Sequence, residues 1–306
     1  DSKEILDYPD SMVVMDQITW GLGESEDAFI KNGYIYQKCL QTGTLFVNPR
    51  PKLKYLSMLY SDSISSNFWV NEFFLPKIEA RRKNIFKPRA NYVSKKFKDI
   101  DSMKIADIGA GFGLFIDELQ AVNRKKLDIV AIEPSHSMAN ICEKKGIKVN
   151  RCMLENLVGK TLKFDLMTSF ELFEHLFDPL IFLKDCFKLL NVNGYLLLTT
   201  LSSNGFDIQT LWEKSNSIFP PQHLNFFNPA SIKNILELVG FRKVEISTPG
   251  ELDIDIVFNS YKSGNTNIPR FLKTIYNHED KSVMKKFQNF LKINKLSSHM
   301  LVVAQK

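Results

Sequence analysis

The sequence predicts an α/β fold built on a doubly wound, seven-stranded and mostly parallel sheet. From Met103 onward, short apolar runs alternate with helical patterns, which is how strand–helix–strand units read. A glycine-rich turn, ADIGAGFG (Ala106–Gly113), follows the first apolar run. Hydrophobic residues make up 44% of the 306 residues and charged residues 24%, as in an ordinary globular protein. Pattern and composition therefore agree on one large domain with accessory segments.

The predicted strands and helices follow one another along the chain. The strands are MKIADIGAG (103–111), LDIVAIEP (127–134), a short strand near IKVNRC (147–152), FDLMTSF (164–170), GYLLLTTL (194–201), RKVEIST (242–248) and HMLVVAQ (299–305). The helices are GLFIDELQAV (113–122), SMANICEKKG (137–146), PLIFLKDCFKLL (179–190) and PASIKNILELVGF (229–241). The last helix has Pro229 at its start and Gly240 at its stop, the usual asymmetry of helix ends.

Three regions lie outside this alternation. Residues 1–100 form a predicted N-terminal extension, and residues 101–306 the sheet domain. Segments 202–228 and 249–297 interrupt the domain after the fifth and sixth strands. Insertions after the carboxyl ends of strands usually build the substrate side of such a fold.

Composition limits the class of protein. No stretch approaches the ~20 apolar residues that span a bilayer, and the acidic start DSKEILDYPD does not resemble a signal peptide. The cysteines show no paired spacing, which favours a reduced cytoplasm. They are Cys39, Cys142, Cys152 and Cys186.

The formal net charge of +6 is mild, and basic residues cluster between Lys77 and Lys98. Such a cluster is either a solvated helix face or a rim that attracts a phosphate-bearing substrate. No segment resembles a known nucleic-acid-binding signature, so a nucleic-acid partner is not expected.

The glycine turn predicts a ligand site. Glycines between a strand and a helix allow close approach to the backbone, and the helix start offers free N–H groups. A dinucleotide fingerprint needs a third glycine where this chain has Leu114, which weakens an NAD reading. Glu133, at the end of the second strand, is well placed to accept both hydroxyls of a ribose.

From Met103 to Gly250, the chain resembles the class I S-adenosylmethionine-dependent methyltransferases, which have a Rossmann-like fold. The resemblance implies S-adenosylmethionine as cofactor and S-adenosylhomocysteine as product. Matched to its motifs, the cofactor-binding residues are Asp107, Gly109, Gly111, Gly113, Glu133, Met153, Leu154, Ser169, Phe170 and Glu171. Met153 and Leu154 would flank the adenine, and the last three would lie beside the sulfonium.

The N-terminal segment YIYQKCLQTGTLFVNPRP resembles one that precedes many bacterial sugar methyltransferases, where C-x-x-C-G belongs to a small zinc-binding unit. Here Thr42 occupies the second cysteine position after Cys39. A lone thiol cannot build a cysteine-rich tetrahedral site, so no structural zinc is expected. The segment is predicted to be a degenerate hairpin that ends in NPRP.

EHLFDP, PPQHLNFFNPASIKNILELVGF and TPGELDIDI resemble the branch that contains ubiquinone-biosynthesis O-methyltransferases and sugar methyltransferases. In some relatives an E-x-x-E-H motif and a later histidine hold a divalent ion; the matching residues are Glu171, Glu174, His175 and His223. These would suit Mg²⁺ or Mn²⁺. The alternative, that the carboxylates serve the cofactor and a helix start and the histidine packs, leads us to assign no metal ligands.

His223 and, second, His175 are the predicted catalytic residues, because a histidine near its neutral pKa suits proton abstraction from a hydroxyl. Aromatic candidates for closing the pocket are Tyr60, Phe68, Trp69, Trp212, Phe226 and Phe227, although core packing is the favoured role for each one individually.

The resemblance predicts methyl transfer to a hydroxyl of a small polar metabolite, such as a sugar or nucleotide-linked sugar of surface-polysaccharide synthesis. Methylation of an RNA end is an alternative, suggested by the E-x-x-E-H set and the basic stretch. A non-catalytic scaffold is a third reading, which the intact glycines and Glu133 disfavour.

Overall fold

The computed structural model describes residues 4–8, 10–60, 77–123 and 126–306, with the side chains of 57–60 left out. Its strands before residue 100 are β1 (Met12–Val13), β2 (Ser25–Lys31), β3 (Tyr34–Cys39), β4 (Leu45–Val47) and β5 (Arg50–Pro51). Those after it are β6 (Lys104–Ile108), β7 (Asp128–Ile132), β8 (Lys148–Asn150), β9 (Phe164–Phe170), β10 (Leu190–Leu201), β11 (Asn225–Phe226), β12 (Arg242–Ser247) and β13 (His299–Gln305).

The α-helices are α1 (Glu4–Asp7), α2 (Leu53–Tyr60), α3 (Ile78–Arg81), α4 (Lys87–Lys96), α5 (Leu114–Val122), α6 (His136–Lys144), α7 (Pro179–Leu189), α8 (Phe206–Leu211), α9 (Pro229–Val239), α10 (Asp253–Lys262), α11 (Arg270–Tyr276) and α12 (Ser282–Ile293). A π turn, Arg82–Phe86, joins α3 to α4. No helix in these described ranges is both long and apolar enough to cross a membrane.

Seven strands form the central sheet, in the order β12-β13-β10-β9-β6-β7-β8. β13 runs antiparallel to both of its neighbours, and the other pairs are parallel. The predicted doubly wound, mostly parallel sheet is confirmed. The fifth strand begins at Leu190 rather than at Gly194, because an irregular register between Leu190 and Tyr195 adds residues to its start.

The order of the strands fixes where a ligand site belongs. The chain proceeds from β6 outward to β7 and β8, and then returns to place β9 and β10 on the other side of β6. At such a switch point, the loops after the two neighbouring strands diverge and leave a crevice at the carboxyl edge of the sheet. The glycine turn after β6 and the segment after β9 line this crevice.

A second, four-stranded antiparallel sheet has the order β11-β4-β3-β2. Its hairpin β2–β3 turns at Asn32 and Gly33, whose φ angles of 51° and 85° suit the left-handed positions of a tight turn. The fourth strand, β11, comes from the 202–228 insertion, and its Asn225 pairs with Phe46 of β4. The predicted division at residue 100 stays a prediction, and this sheet joins residues from both sides of it.

The 249–297 insertion forms α10, α11 and α12, which pack around a shared apolar cluster. Ile254 and Phe258 of α10, Leu272 of α11 and Leu291 of α12 belong to it, together with Leu211 of α8. The two insertions therefore pack against each other.

The basic helix region meets carboxylates of the same chain. Arg82 lies 3.2 Å from Glu118 and 3.4 Å from Asp117, and Lys96 lies 2.5 Å from Glu245. These basic side chains therefore tie α4 and the π turn to the sheet domain.

Candidate active site

The three glycines of the turn after β6 all have left-handed backbones, with φ angles of 67°, 55° and 71° for Gly109, Gly111 and Gly113. A Cβ built on Gly111 would meet no heavy atom of the described residues within 4 Å. A Cβ on Gly113 would lie 2.6 Å from Ile147 Cδ1 and 3.1 Å from Cys142 Sγ. Gly111 therefore faces open space in the crevice, whereas Gly113 allows α5 to pack closely.

Glu133, directly after β7, is held against this turn. Its Oε2 accepts a hydrogen bond of 2.8 Å from Gly111 N, and its Oε1 accepts one of 2.9 Å from Ser135 N. Burial raises the pKa of this carboxyl above its ordinary value. The structure thus places Glu133 beside Gly111, as the sequence predicted for a ribose ligand.

Asp107 lies beneath the turn rather than in the open crevice, since only 2% of it is exposed. It accepts a hydrogen bond of 2.7 Å from Thr168 Oγ1 on β9. Burial raises the pKa of Asp107 to about 7. Its contacts tie β6 to β9 at the switch point.

The other residues matched to the cofactor divide by exposure. Met153 is 45% exposed, whereas Leu154 is buried in the core beneath the sheet. Ser169 is buried at the end of β9, and its Oγ has no hydrogen-bond partner among the described residues. Phe170 packs on Phe115 with 4.5 Å between the ring centroids.

Glu171 joins a cluster of charged groups after β9. Its Oε1 accepts hydrogen bonds from Arg89 Nη2 at 2.5 Å and from Thr199 Oγ1 at 2.7 Å, and lies 3.6 Å from His299 Nε2. Burial opposes ionisation, but the charges of His299 and Arg89 and these hydrogen bonds outweigh it and lower the pKa of Glu171 to about 2. Arg89 also stacks over the ring of Phe170 at 4.9 Å.

Sequence reasoning missed both Arg89 and His299. Arg89 was one of many basic residues before the sheet, and His299 opens the last strand, where no motif marks it. The antiparallel direction of β13 brings His299 opposite Leu201, at the carboxyl end of β10. The antiparallel last strand brings His299 to Glu171, and a helix before the sheet brings Arg89 there.

A second cluster contains Glu174, His175 and His223. The imidazoles of His175 and His223 meet edge to face, with 4.7 Å between their ring centroids. His223 Nδ1 is 2.6 Å from the carbonyl oxygen of Ser217, so this nitrogen carries the proton and donates it. Glu174 accepts a hydrogen bond of 2.9 Å from Thr200 Oγ1.

Burial keeps this cluster uncharged near neutral pH. Burial, reinforced by His223, lowers the pKa of His175 to about 3. It also lowers the pKa of His223. Burial and the negative charge of Glu171 raise the pKa of Glu174 to about 8. All three groups are therefore shifted toward their uncharged forms.

The four residues that match the metal-binding motif of some relatives separate into two parts. One ligand atom each from Glu174, His175 and His223 lies within 4.8 Å of the others, which is close enough to share an ion. Glu171 instead pairs with Arg89. A cation at the first three residues would favour the ionised form of Glu174, which burial disfavours.

The aromatic candidates that the structure describes are packing residues. Trp212 meets Phe29 edge to face with 5.2 Å between centroids, and Phe226 and Phe227 are buried in two different apolar clusters. Phe68 and Trp69 lie outside the described residues, as does the side chain of Tyr60.

The crevice suits a nucleoside joined to an amino acid. Glu133 accepts a hydrogen bond from Gly111 N, the space over Gly111 is open, and the buried Ser169 Oγ has no partner among the described residues. Arg89 and Glu171 provide a cation and an anion for the amino-acid end. These features fit S-adenosylmethionine.

Comparison with known proteins agrees with this geometry. A family model described as a methyltransferase domain matches residues 78–246. The bovine mitochondrial ubiquinone biosynthesis O-methyltransferase is 26% identical over 156 residues, which are 47% of this chain and 42% of the relative. The tRNA U34 carboxymethyltransferase of Campylobacter jejuni is 29% identical over 179 residues, 56% of this chain and 57% of the relative. The chain spans about half the length of these curated relatives.

Solved structures share the fold. A SAM-dependent methyltransferase from Thermotoga maritima has a TM-score of 0.51 and 18% identity, covering 78% of this chain and 99% of its own. One from Archaeoglobus fulgidus has a TM-score of 0.50 and 18% identity, covering 76% of this chain and 100% of its own. With the family match over more than half of the chain, the protein belongs to the methyltransferase domain family and has the class I fold of enzymes that use S-adenosylmethionine.

Proposed function

We propose that this enzyme transfers the methyl group of S-adenosylmethionine to a hydroxyl of a small polar metabolite, such as a sugar or nucleotide-linked sugar, in the cytoplasm. One observation carries the choice of a hydroxyl acceptor: a neutral imidazole, His223, lies in the insertion after β10 with its Nδ1 proton engaged by Ser217. Its Nε2 is left as an acceptor, which is what removal of a hydroxyl proton needs.

Cofactor binding uses both walls of the crevice. Glu133 accepts the ribose hydroxyls, and the exposed backbone at Gly111 admits the cofactor. At the other end, Arg89 holds the carboxylate of the methionine portion and Glu171 holds its ammonium group. A paired guanidinium and carboxylate match the two charges of an amino acid, and such hydrogen bonds are among the strongest available to proteins.

The reaction asks for alignment and one proton acceptor. The acceptor oxygen attacks the methyl carbon as the carbon–sulfur bond breaks, and the sulfonium becomes a neutral thioether. The hydroxyl proton passes to His223 Nε2. Holding the reactants in line supplies most of the rate enhancement, and a general base adds about 10²–10⁴-fold. His175 is the weaker base, because its pKa of about 3 leaves it little affinity for a proton.

The test begins with calorimetric titration of S-adenosylmethionine, with and without EDTA. A panel of sugars and nucleotide sugars is then screened for transfer of a radiolabelled methyl group. His223→Gln should keep cofactor affinity and lose about 10²-fold or more in kcat. His278→Gln, which changes an exposed histidine outside the site, is the matched control. Full activity of His223→Gln would refute the base assignment, and no transfer to any member of the panel would refute the acceptor class.

A second candidate acceptor is tRNA, because one relative is named a tRNA U34 carboxymethyltransferase. The structure favours the small metabolite, since Arg82 and Lys96 of the basic region already pair with carboxylates of the chain. Binding of total tRNA, measured at 50 and 200 mM salt, distinguishes the two. Tight binding that falls steeply with salt would favour tRNA.

A further inference from the structure

We infer that Tyr36, Arg50 and Asn225 form a clamp that positions His175 and His223 for methyl transfer. The inference rests on the proposed role of His223 and extends it to the N-terminal region. Tyr36 and Arg50 precede residue 78, where the family match begins. They are proposed as positioning residues, which act through the histidines and touch neither cofactor nor acceptor.

Two loops meet at the histidine pair, and direct hydrogen bonds join them. His175 lies in a short 3-10 turn, Phe173–His175, and His223 lies just before β11. Leu224 N donates to the carbonyl oxygen of Glu174 at 2.7 Å, and Asn225 Nδ2 donates to that of Leu176 at 2.7 Å. Each bond joins a residue within two positions of His223 to a residue next to His175.

Arg50 bridges the same two loops from the N-terminal side. Its Nη1 donates to the carbonyl oxygen of Phe177 at 2.7 Å and to Asn225 Oδ1 at 3.1 Å. Its Nε donates to Val47 O at 3.1 Å, which anchors the guanidinium to β4. Phe177 and Asn225 each come two residues after a histidine. The Arg50 side chain therefore holds both loops just after their histidines.

The burial of Arg50 argues for a positioning role. The residue is fully buried, and burial lowers its pKa to about 9 although the charge of Asp178 acts to raise it. Replacing a buried charged group by a well-packed apolar side chain is often neutral or stabilising, so stability alone gives little reason for an arginine here. What the planar guanidinium provides is a fixed geometry between two backbones.

Tyr36 completes the clamp at His223 itself. Its hydroxyl donates to the carbonyl oxygen of His223 at 2.7 Å, while the ring of His223 donates to Ser217. His223 is therefore fixed at both backbone and ring. Since Tyr36 belongs to β3 and Asn225 to β11, the four-stranded sheet sets the orientation of the proposed base.

The experiment reads the histidines directly and needs no methyl acceptor. Protein labelled with ¹³C at histidine Cε1 is titrated with acid by NMR, and His175→Gln and His223→Gln identify the two resonances. The variants are Tyr36→Phe, Arg50→Lys and Asn225→Leu. Thr44→Val is the matched control, because it removes one buried hydroxyl directly before β4, and the partner of that hydroxyl is Thr42.

In Tyr36→Phe, the His223 resonance should shift and its titration midpoint should rise, by up to about one pH unit, as the loosened ring gains water. The charged or titratable groups around the histidine pair are Glu171, Glu174, Arg50 and Tyr36, besides the histidines themselves. Burial raises the pKa of the Tyr36 phenol well above its ordinary value, so Tyr36→Phe removes no charge during the titration. Arg50→Lys and Asn225→Leu should move both histidine resonances. Thr44→Val should match the wild type, and all four variants should bind S-adenosylmethionine within about twofold of it.

If Tyr36→Phe and Asn225→Leu fold and leave both resonances and midpoints at control values, the clamp is overturned. The Arg50→Lys result counts only if that variant folds. Tyr36→Phe is the decisive variant, because it removes a single oxygen atom. A failed acceptor screen would refute the proposed function without touching this result. Unchanged histidine resonances and midpoints in an active enzyme would refute the clamp and leave the proposed function standing.

Discussion

Replacing Gly111 and Gly113 by alanine, one at a time, separates cofactor binding from packing at two neighbouring positions. Both glycines are left-handed, so alanine costs about 1–2 kcal/mol of backbone free energy at either position. The added methyl group differs in what it meets. At Gly111 it enters open space above Glu133, and at Gly113 it strikes Ile147 and Cys142.

The two variants should therefore lose different properties: Gly111→Ala mainly cofactor affinity, and Gly113→Ala mainly stability. Gly111→Ala should lose only the backbone cost in unfolding free energy. It should bind S-adenosylmethionine at least tenfold more weakly, about 1.4 kcal/mol, because the methyl group occupies the cofactor's space. Gly113→Ala adds overpacking of about 1–3 kcal/mol to the backbone cost. Its loss of unfolding free energy should therefore be two to three times that of Gly111→Ala. Its folded fraction should bind the cofactor almost as the wild type does.

Urea denaturation gives the unfolding free energies, and calorimetry at a temperature where both variants are folded gives the cofactor Kd. Wild-type affinity in Gly111→Ala would refute the assignment of the open space to the cofactor. Equal stability losses in the two variants would refute the packing role of Gly113.

Three further changes test the carboxylates. Glu133→Gln should weaken S-adenosylmethionine about tenfold in calorimetry, because a neutral amide is a poorer acceptor for the ribose hydroxyls; an unchanged Kd would contradict that role. Asp107 has a folded pKa of about 7 against 3.8 unfolded, so wild-type stability should fall as pH rises between these values. The urea midpoint of Asp107→Asn should not show this fall with rising pH. If the midpoints of variant and wild type change with pH in parallel, the prediction is contradicted. Glu171, with its pKa lowered to about 2, stabilises the fold above pH 4.5 and loses this contribution as pH falls toward 2. Glu171→Gln should therefore destabilise more at pH 6 than at pH 3, and a loss independent of pH would contradict the charge pairing.

Much of the fold was predictable because its signals are local. Apolar runs and helical periodicity placed the strands of the central sheet, and the glycine turn marked the crevice between β6 and β9. The position of Glu133 directly after the second strand marked it as a candidate, and in the structure its carboxylate accepts a hydrogen bond from Gly111 N. These features depend on residues close together in sequence.

The rest of the site depends on distant contacts. Arg89 and His299 are 210 residues apart in the chain, yet their side chains lie 3.2 Å from each other. No sequence pattern links them, because an antiparallel last strand and a helix before the sheet bring them together. The pairing of β11 with β4 has the same character, since neither segment carries a motif that names its partner.

The shared four-stranded sheet also sets the order in which the newly made chain can fold. Arg50 and Asn225 are separated by 175 residues, so β4 leaves the ribosome with one edge unpaired. At about 5–20 residues per second, roughly 10–35 s pass before β11 is made to cover that edge. During this interval β4 is open to wrong strand partners, the usual hazard of an exposed sheet edge. The histidine site is thus completed late in synthesis, after most of the central sheet already exists.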